Sequence, residues 1–165
     1  MAINRVIGVS RLLLVLAFAL FWGGLTFYTG IVVRVAHDVL SDPMDGGLIT
    51  QRVTVFLQWL GLATALLMLL NALLVRKTAR WYGNCLFACA AILVCSLIGL
   101  FIVHGHLDSV IDVAAHEVTD RDAFDTGHRR YNQLTTVEWL SSLAYLVVTI
   151  PAWRRVDAAD GKPVA

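Results

Sequence analysis

Charge is scarce in this chain: Asp, Glu, Lys and Arg make up 15% of its 165 residues. A soluble domain carries about 25%. With 58% hydrophobic residues and a mean hydropathy of +0.72, a water-soluble globule is excluded. Proline and cysteine each occur three times, too few for a collagen-like or low-complexity chain or for a disulfide scaffold. The net charge of +1 gives no pull towards nucleic acid. Also missing are the nucleophile elbow, the P-loop, HExxH and the Rossmann glycine pattern. No Cys-x-x-Cys-His occurs, which excludes covalent haem attachment. The length fits one domain.

What the sequence has is long uncharged runs. Leu12–Val33 spans 22 residues, Val53–Val75 and Trp81–Val103 span 23 each. A helix needs about 20 apolar residues to cross a bilayer, and the first run exceeds the ~7–15 of a cleaved signal peptide. Tyr131–Trp153 is a weaker fourth run, broken by Glu138 alone. Period-two alternation is absent, and a spanning backbone must satisfy its own hydrogen bonds. The expected fold is therefore all-α: a four-helix transmembrane bundle with spans at 12–33, 53–75, 81–103 and 134–153. Residues 1–155 form the single membrane domain, with 156–165 a flexible tail. Arg76–Arg80 is a short basic hairpin that makes helices two and three antiparallel neighbours, and Ser41–Gly47 is a turn cluster.

Cations give the orientation. With the N-terminus inside, eight Lys and Arg lie on the cytoplasmic face (Arg5, Arg11, Arg76, Lys77, Arg80, Arg154, Arg155, Lys162) and five outside. Retained cations face the cytoplasm, so the reading is an inner-membrane protein with both termini cytoplasmic. Trp81 and Trp153 then anchor the inner boundary, and Tyr28, Trp59 and Trp139 the outer one.

His37, His104, His106, His116 and His128 all fall on the outer side. His104, Asp108, Asp112 and His116 recur every four residues, a stripe along a helix three extended beyond the membrane. His104 and His116 would be roughly 18 Å apart, too far for one ion to collect the whole stripe. One reading is a solvated helix with local His–Asp pairs, capped by the acidic loop 117–126. The other is a metal site from His37, His104, Asp108 and His128, a donor set suited to zinc, copper or non-haem iron. Haem b between His37 and His104 is a further option. Cys85 and Cys89 share a helix face, either as small apolar groups or as a Cu(I) pair.

Glu138 has two readings. If span four starts near Tyr131, its carboxylate is intramembrane, faces the bundle interior and needs a partner such as Arg34, Arg52, Asn132 or a histidine. If the span starts at Trp139, Glu138 sits among headgroups. Gln58, Asn71, Thr26, Thr29 and Ser96 read as inter-helix hydrogen bonders, and Gly23, Gly24, Gly30, Gly61 and Gly99 as close-packing positions.

Phe21-Trp22-Gly23-Gly24-Leu25-Thr26-Phe27-Tyr28 in the first span, and Phe124-Asp125-Thr126-Gly127-His128 before the last, carry a resemblance. They resemble uncharacterised four-helix bacterial inner-membrane proteins, similar to the domain-of-unknown-function group related to eukaryotic transmembrane protein 205. His128, four residues after Phe124, matches that group's pattern; Tyr131 departs from it, where a small residue is usual. The resemblance implies a membrane location and four helices, and no activity.

Three functions stay open: a non-enzymatic accessory or scaffold protein; a metal or haem site at the outer boundary; and a proton-coupled small transporter using Glu138. The last would need a second copy or another membrane protein as partner. Convergence of His37, His104 and Glu138 on one point separates the latter two from the first.

Overall fold

The heptad arithmetic of the buried residues explains the architecture. On α1 (Ala2–Phe27) the buried side chains include Leu14, Phe18, Phe21 and Leu25; on α3 (Pro43–Thr78), Ala65, Met68, Ala72 and Val75. On α4 (Arg80–Ser109) they include Leu86, Ala90, Leu93 and Leu97; on α5 (Arg121–Ala159), Ser142, Tyr145, Thr149 and Ala152. Alternating steps of three and four average 3.5 residues, the period of a left-handed helical bundle. The outward faces stay apolar, with Leu20, Phe56, Leu66, Ile98 and Val147 all exposed. In a soluble protein such faces would aggregate; here they meet lipid.

The computed structural model describes residues 2–113, 115, 117–159 and 161, with side chains from Val6 onward except at Pro43. A π-helical turn, Tyr28–Val32, and α2 (Val33–Val39) continue α1 as one rod. A two-stranded antiparallel hairpin, β1 (Ile111–Asp112) and β2 (Glu117–Val118), links α4 to α5. Four helices are long and apolar enough to cross a membrane: Val6–Val39, Met44–Thr78, Arg80–Ser109 and Arg121–Ala159, with mean hydropathies of 2.1, 2.1, 2.9 and 1.3 over their best windows. The chain is a multi-pass membrane protein.

The rods pack in the order α1, α3, α4, α5. Ala79 alone separates α3 from α4, so these two are antiparallel neighbours, as the basic hairpin requires. α1 and α5 close the ring through long side chains. Trp22 stacks on Trp139 at 5.2 Å between ring centroids, and Trp139 Nε1 donates to Thr26 Oγ1 at 2.9 Å. At the other end Arg11 pairs with Asp157 at 2.9 Å and lies 5.1 Å over the Trp153 ring. Trp139→Phe removes one inter-helix hydrogen bond from this clasp. It is expected to lower stability by about 0.6–1.7 kcal/mol, read as an earlier midpoint when the protein in dodecyl maltoside is titrated with SDS.

Several local expectations are corrected. The extended third helix stops at Ser109, so the His104–His116 stripe is broken. Thr119 bonds back to the Val110 carbonyl through its N–H (2.9 Å) and hydroxyl (3.1 Å), folding the β-branched segment into the hairpin. Asp112 is a strand residue there, and His116 lies outside the described residues. The acidic loop 117–126 is half helix, because Asp120 Oδ1 accepts the Ala123 N–H at 2.9 Å and α5 begins at Arg121. The turn cluster 41–47 shrinks likewise: Asp42 accepts the Met44 N–H at 2.8 Å, Pro43 occupies the first turn, and α3 starts there. At the C-terminal end, α5 stays helical to Ala159. Among the small residues, Gly61 and Gly99 are tightly packed, but Gly23 and Gly30 have open space where a side chain would be.

Candidate functional site

The same heptad seam that builds the core becomes polar in the half of the bundle nearer the α4–α5 hairpin. Continuing along α3, the seam passes through Gln58 and Thr54; along the first rod it reaches Tyr28, and along α4 His104. On α5 it steps from Ser142 through Glu138, Thr135, Tyr131, His128, Phe124 and Arg121, each three or four residues from the last. These side chains do not interlock. They line a cavity of about 620 Å³, within the ~300–1,000 Å³ range of small-molecule sites.

The π turn helps the first rod to face it. The Val33 N–H bonds to the Tyr28 carbonyl, closing a ring one residue wider than an α turn. Tyr28 and Val33 therefore sit one above the other, and His37 follows one α turn later, so all three line the cavity. Such insertions within helices are frequent at functional sites. Tyr28 is 6% exposed and turned into the bundle, so it is not the outer interfacial anchor that its position in the sequence indicates.

All five residues singled out in the sequence, His37, His104, Asp108, His128 and Glu138, line this one cavity. They occupy different levels of it. His104 Nε2 stands 3.6 Å from Asp108 Oδ2, and Gln51 Nε2 donates to Asp108 Oδ1. His37 Nδ1 bonds the Val33 carbonyl at 2.8 Å, and His128 stacks on Phe124 at 5.9 Å. Among the described residues, no three His, Cys, Asp or Glu side chains are grouped closely enough to hold a metal ion. Cys85 and Cys89 are free, partly buried thiols.

Glu138 lies deep. It is 3% exposed and lines the cavity. Among the described residues no hydrogen bond or ion pair reaches its carboxylate; Ser141 and Ser142 bond to its backbone carbonyl instead. Of the expected partners, Arg34 and Arg52 are exposed and do not line the cavity, whereas Asn132, His37, His104 and His128 line it without a hydrogen bond or ion pair to this carboxylate. Two more buried polar atoms on lining residues are unpartnered, Gln58 Oε1 and the Tyr28 hydroxyl. Thr50 lies beside Tyr28 without a hydrogen bond of good geometry. Gln58 Nε2 donates to the Tyr131 hydroxyl at 3.2 Å, which leaves its carbonyl oxygen as the free end.

The sequence named Tyr28 as an interfacial anchor and Gln58 as an inter-helix hydrogen bonder, and placed neither of them, nor Tyr131, in a site. Their signal was the 3.5-residue spacing: each falls on the seam of its helix.

A family described as a domain of unknown function, DUF4149, matches residues 16–114. The chain belongs to this family. Within the DUF4149 segment lie Tyr28, His37, Gln58, His104 and Asp108, while His128, Tyr131 and Glu138 stand beyond it on α5. The cavity is thus built jointly by the family segment and the helix that follows it. No curated protein and no solved structure matches the chain.

Proposed function

We propose that this DUF4149 protein is a non-enzymatic inner-membrane protein, with both termini cytoplasmic, that holds a small polar-headed molecule in a cavity open to the outer side. The observation that carries the reading is Glu138: a carboxylate 3% exposed, without a partner among the described residues, lining a cavity of about 620 Å³ between four apolar helices. An acidic side chain at the centre of a spanning helix costs about 2.5–3.5 kcal/mol on insertion scales, and less towards the boundary. A scaffold would gain packing from leucine at the same seam position, whereas a binding site needs the acid. The orientation is supported by the cation count, eight against five.

A filled cavity tests the reading. Thr135 lines the cavity and its hydroxyl bonds the Tyr131 carbonyl of its own helix at 3.0 Å. Thr135→Phe therefore occupies the space without cutting a tie between helices. Solvent extracts of wild-type protein purified in mild detergent are expected to contain a small molecule, seen by mass spectrometry, that Thr135→Phe protein of the same elution profile lacks by at least ten-fold. Identical extracts from the two would count against the cavity as a binding site. A periplasm-active reporter fused after Ala159 is expected to stay silent, and activity there would reverse the orientation.

A further inference from the structure

Resting on the cavity reading above, we infer that the occupant is a small organic cation: an ammonium group with N–H donors on an apolar or aromatic body. The argument is a count of what the polar end of the site has and lacks. Glu138 offers carboxylate oxygens, and Gln58 offers a buried carbonyl oxygen that nothing donates to. Tyr28 adds a hydroxyl in the same condition. Glu138 and Gln58 present acceptors awaiting donors, and an anion or a carbonyl placed among them would leave both unsatisfied, while the Tyr28 hydroxyl can donate or accept.

Among the described residues no Lys or Arg serves them. Arg121 is the one Lys or Arg among the lining residues, and it precedes Glu138 by seventeen positions on the same helix, which is roughly 25 Å along the axis. Its side chain is 78% exposed and lies 3.9 Å from Asp125. The imidazoles are engaged higher up: His104 beside Asp108, His37 on the Val33 carbonyl, His128 against Phe124. The remaining walls specify the rest of the ligand. Leu25, Leu57, Leu100 and Leu107 present hydrocarbon. Tyr131, partly buried beside Gln58, supplies an aromatic ring of the kind that attracts ammonium groups.

The test uses three probes of one shape in lipid nanodiscs carrying the full chain, with empty nanodiscs as blank: 2-phenylethylammonium, 2-phenylethanol and 3-phenylpropanoate. Calorimetric titration is expected to show saturable binding of one ammonium per chain, with the alcohol at least ten-fold weaker and the carboxylate weaker still. Glu138→Gln is expected to lower ammonium affinity at least ten-fold while leaving the alcohol unchanged. Gln58→Leu is expected to lower ammonium affinity several-fold. The inference is overturned if the alcohol or the carboxylate binds as tightly as the ammonium, or if Glu138→Gln binds ammonium like wild type. Saturable binding of a neutral or anionic probe that Thr135→Phe abolishes would sink the cation assignment and leave the cavity reading standing. Absence of saturable binding by all three probes overturns the assignment, and together with identical wild-type and Thr135→Phe extracts it overturns the cavity reading as well.

Discussion

Tyr145→Ala is expected to destabilise the bundle by about 3–5 kcal/mol, the range for removing a large buried aromatic side chain. Tyr145 is 2% exposed in the half of the bundle nearer the α3–α4 junction, and its hydroxyl donates to the Met68 carbonyl at 2.7 Å while accepting from Asn71 Nδ2 at 2.8 Å. Asn71 Oδ1 in turn accepts Trp153 Nε1 at 2.8 Å, so one tyrosine anchors a chain of bonds joining α3 and α5. Truncation loses the ring's packing and leaves Asn71 Nδ2 without its acceptor. Inside lipid no water can take that place. Tyr145→Phe separates the two contributions: it keeps the ring and loses only the hydroxyl, for an expected cost of about 0.6–1.7 kcal/mol. SDS titration of the three proteins in dodecyl maltoside, followed by far-ultraviolet circular dichroism, gives the ordering directly. An alanine variant with the wild-type midpoint would mean that Tyr145 does not occupy the core.

The contrast between this network and the cavity is the main physical feature of the chain. In the half nearer the α3–α4 junction, polar seam residues are mutually satisfied: Tyr145 with Asn71, Asn71 with Trp153, Thr149 with the Tyr145 carbonyl at 2.8 Å. In the half that holds the cavity, Glu138, Gln58 and Tyr28 are buried to a similar degree, yet each leaves a polar atom unmet among the described residues. A bundle under selection for stability alone would carry one pattern throughout. Binding sites are where such local rules are broken.

The uncharged runs made the first three helices legible, since no other structure accommodates more than twenty apolar residues in succession. The fourth was less so. Residues 121–137 of α5 are rich in charge and amide, and hydropathy alone places the helix start ten residues late or more. What reveals the helix is Asp120 as its cap and the unbroken step of three and four from Arg121 to Val156, a periodicity that runs through polar and apolar residues alike. The same spacing places Glu138 on the seam between the helices. The π turn has no comparable signal: Thr29-Gly30 is compatible with an ordinary helix. The hairpin was obscured because Val110–Val118 mixes an apolar face with His and Asp at helical spacing, and only the return bond from Thr119 decides it.

Gly83→Ala is expected to be the most damaging single-methyl change among the bundle's glycines. Ala79 alone links α3 to α4, so the first turn of one helix lies directly on the last turn of the other. A Cβ at position 83 would fall 2.5 Å from Arg76 Cβ and 2.6 Å from Arg76 N. The obstacle is backbone, which cannot rotate away, so the two helices must separate at their tightest point. Overpacking of this kind costs about 1–3 kcal/mol, occasionally more. Gly61 provides the intermediate case: its Cβ would stand 2.8 Å from Phe21 Cε2 and 3.0 Å from Leu97 Cδ2, both side-chain atoms that can yield. Gly23 provides the opposite one, with nothing within 4 Å, so that alanine there gains up to about 1 kcal/mol of helix propensity. The expected order of SDS midpoints is Gly23→Ala at or above wild type, Gly61→Ala below it, and Gly83→Ala lowest. A Gly83→Ala midpoint equal to that of Gly61→Ala would show that the α3–α4 junction relaxes as readily as a side chain does, and the close backbone approach at Arg76 would then not be what fixes these two helices together.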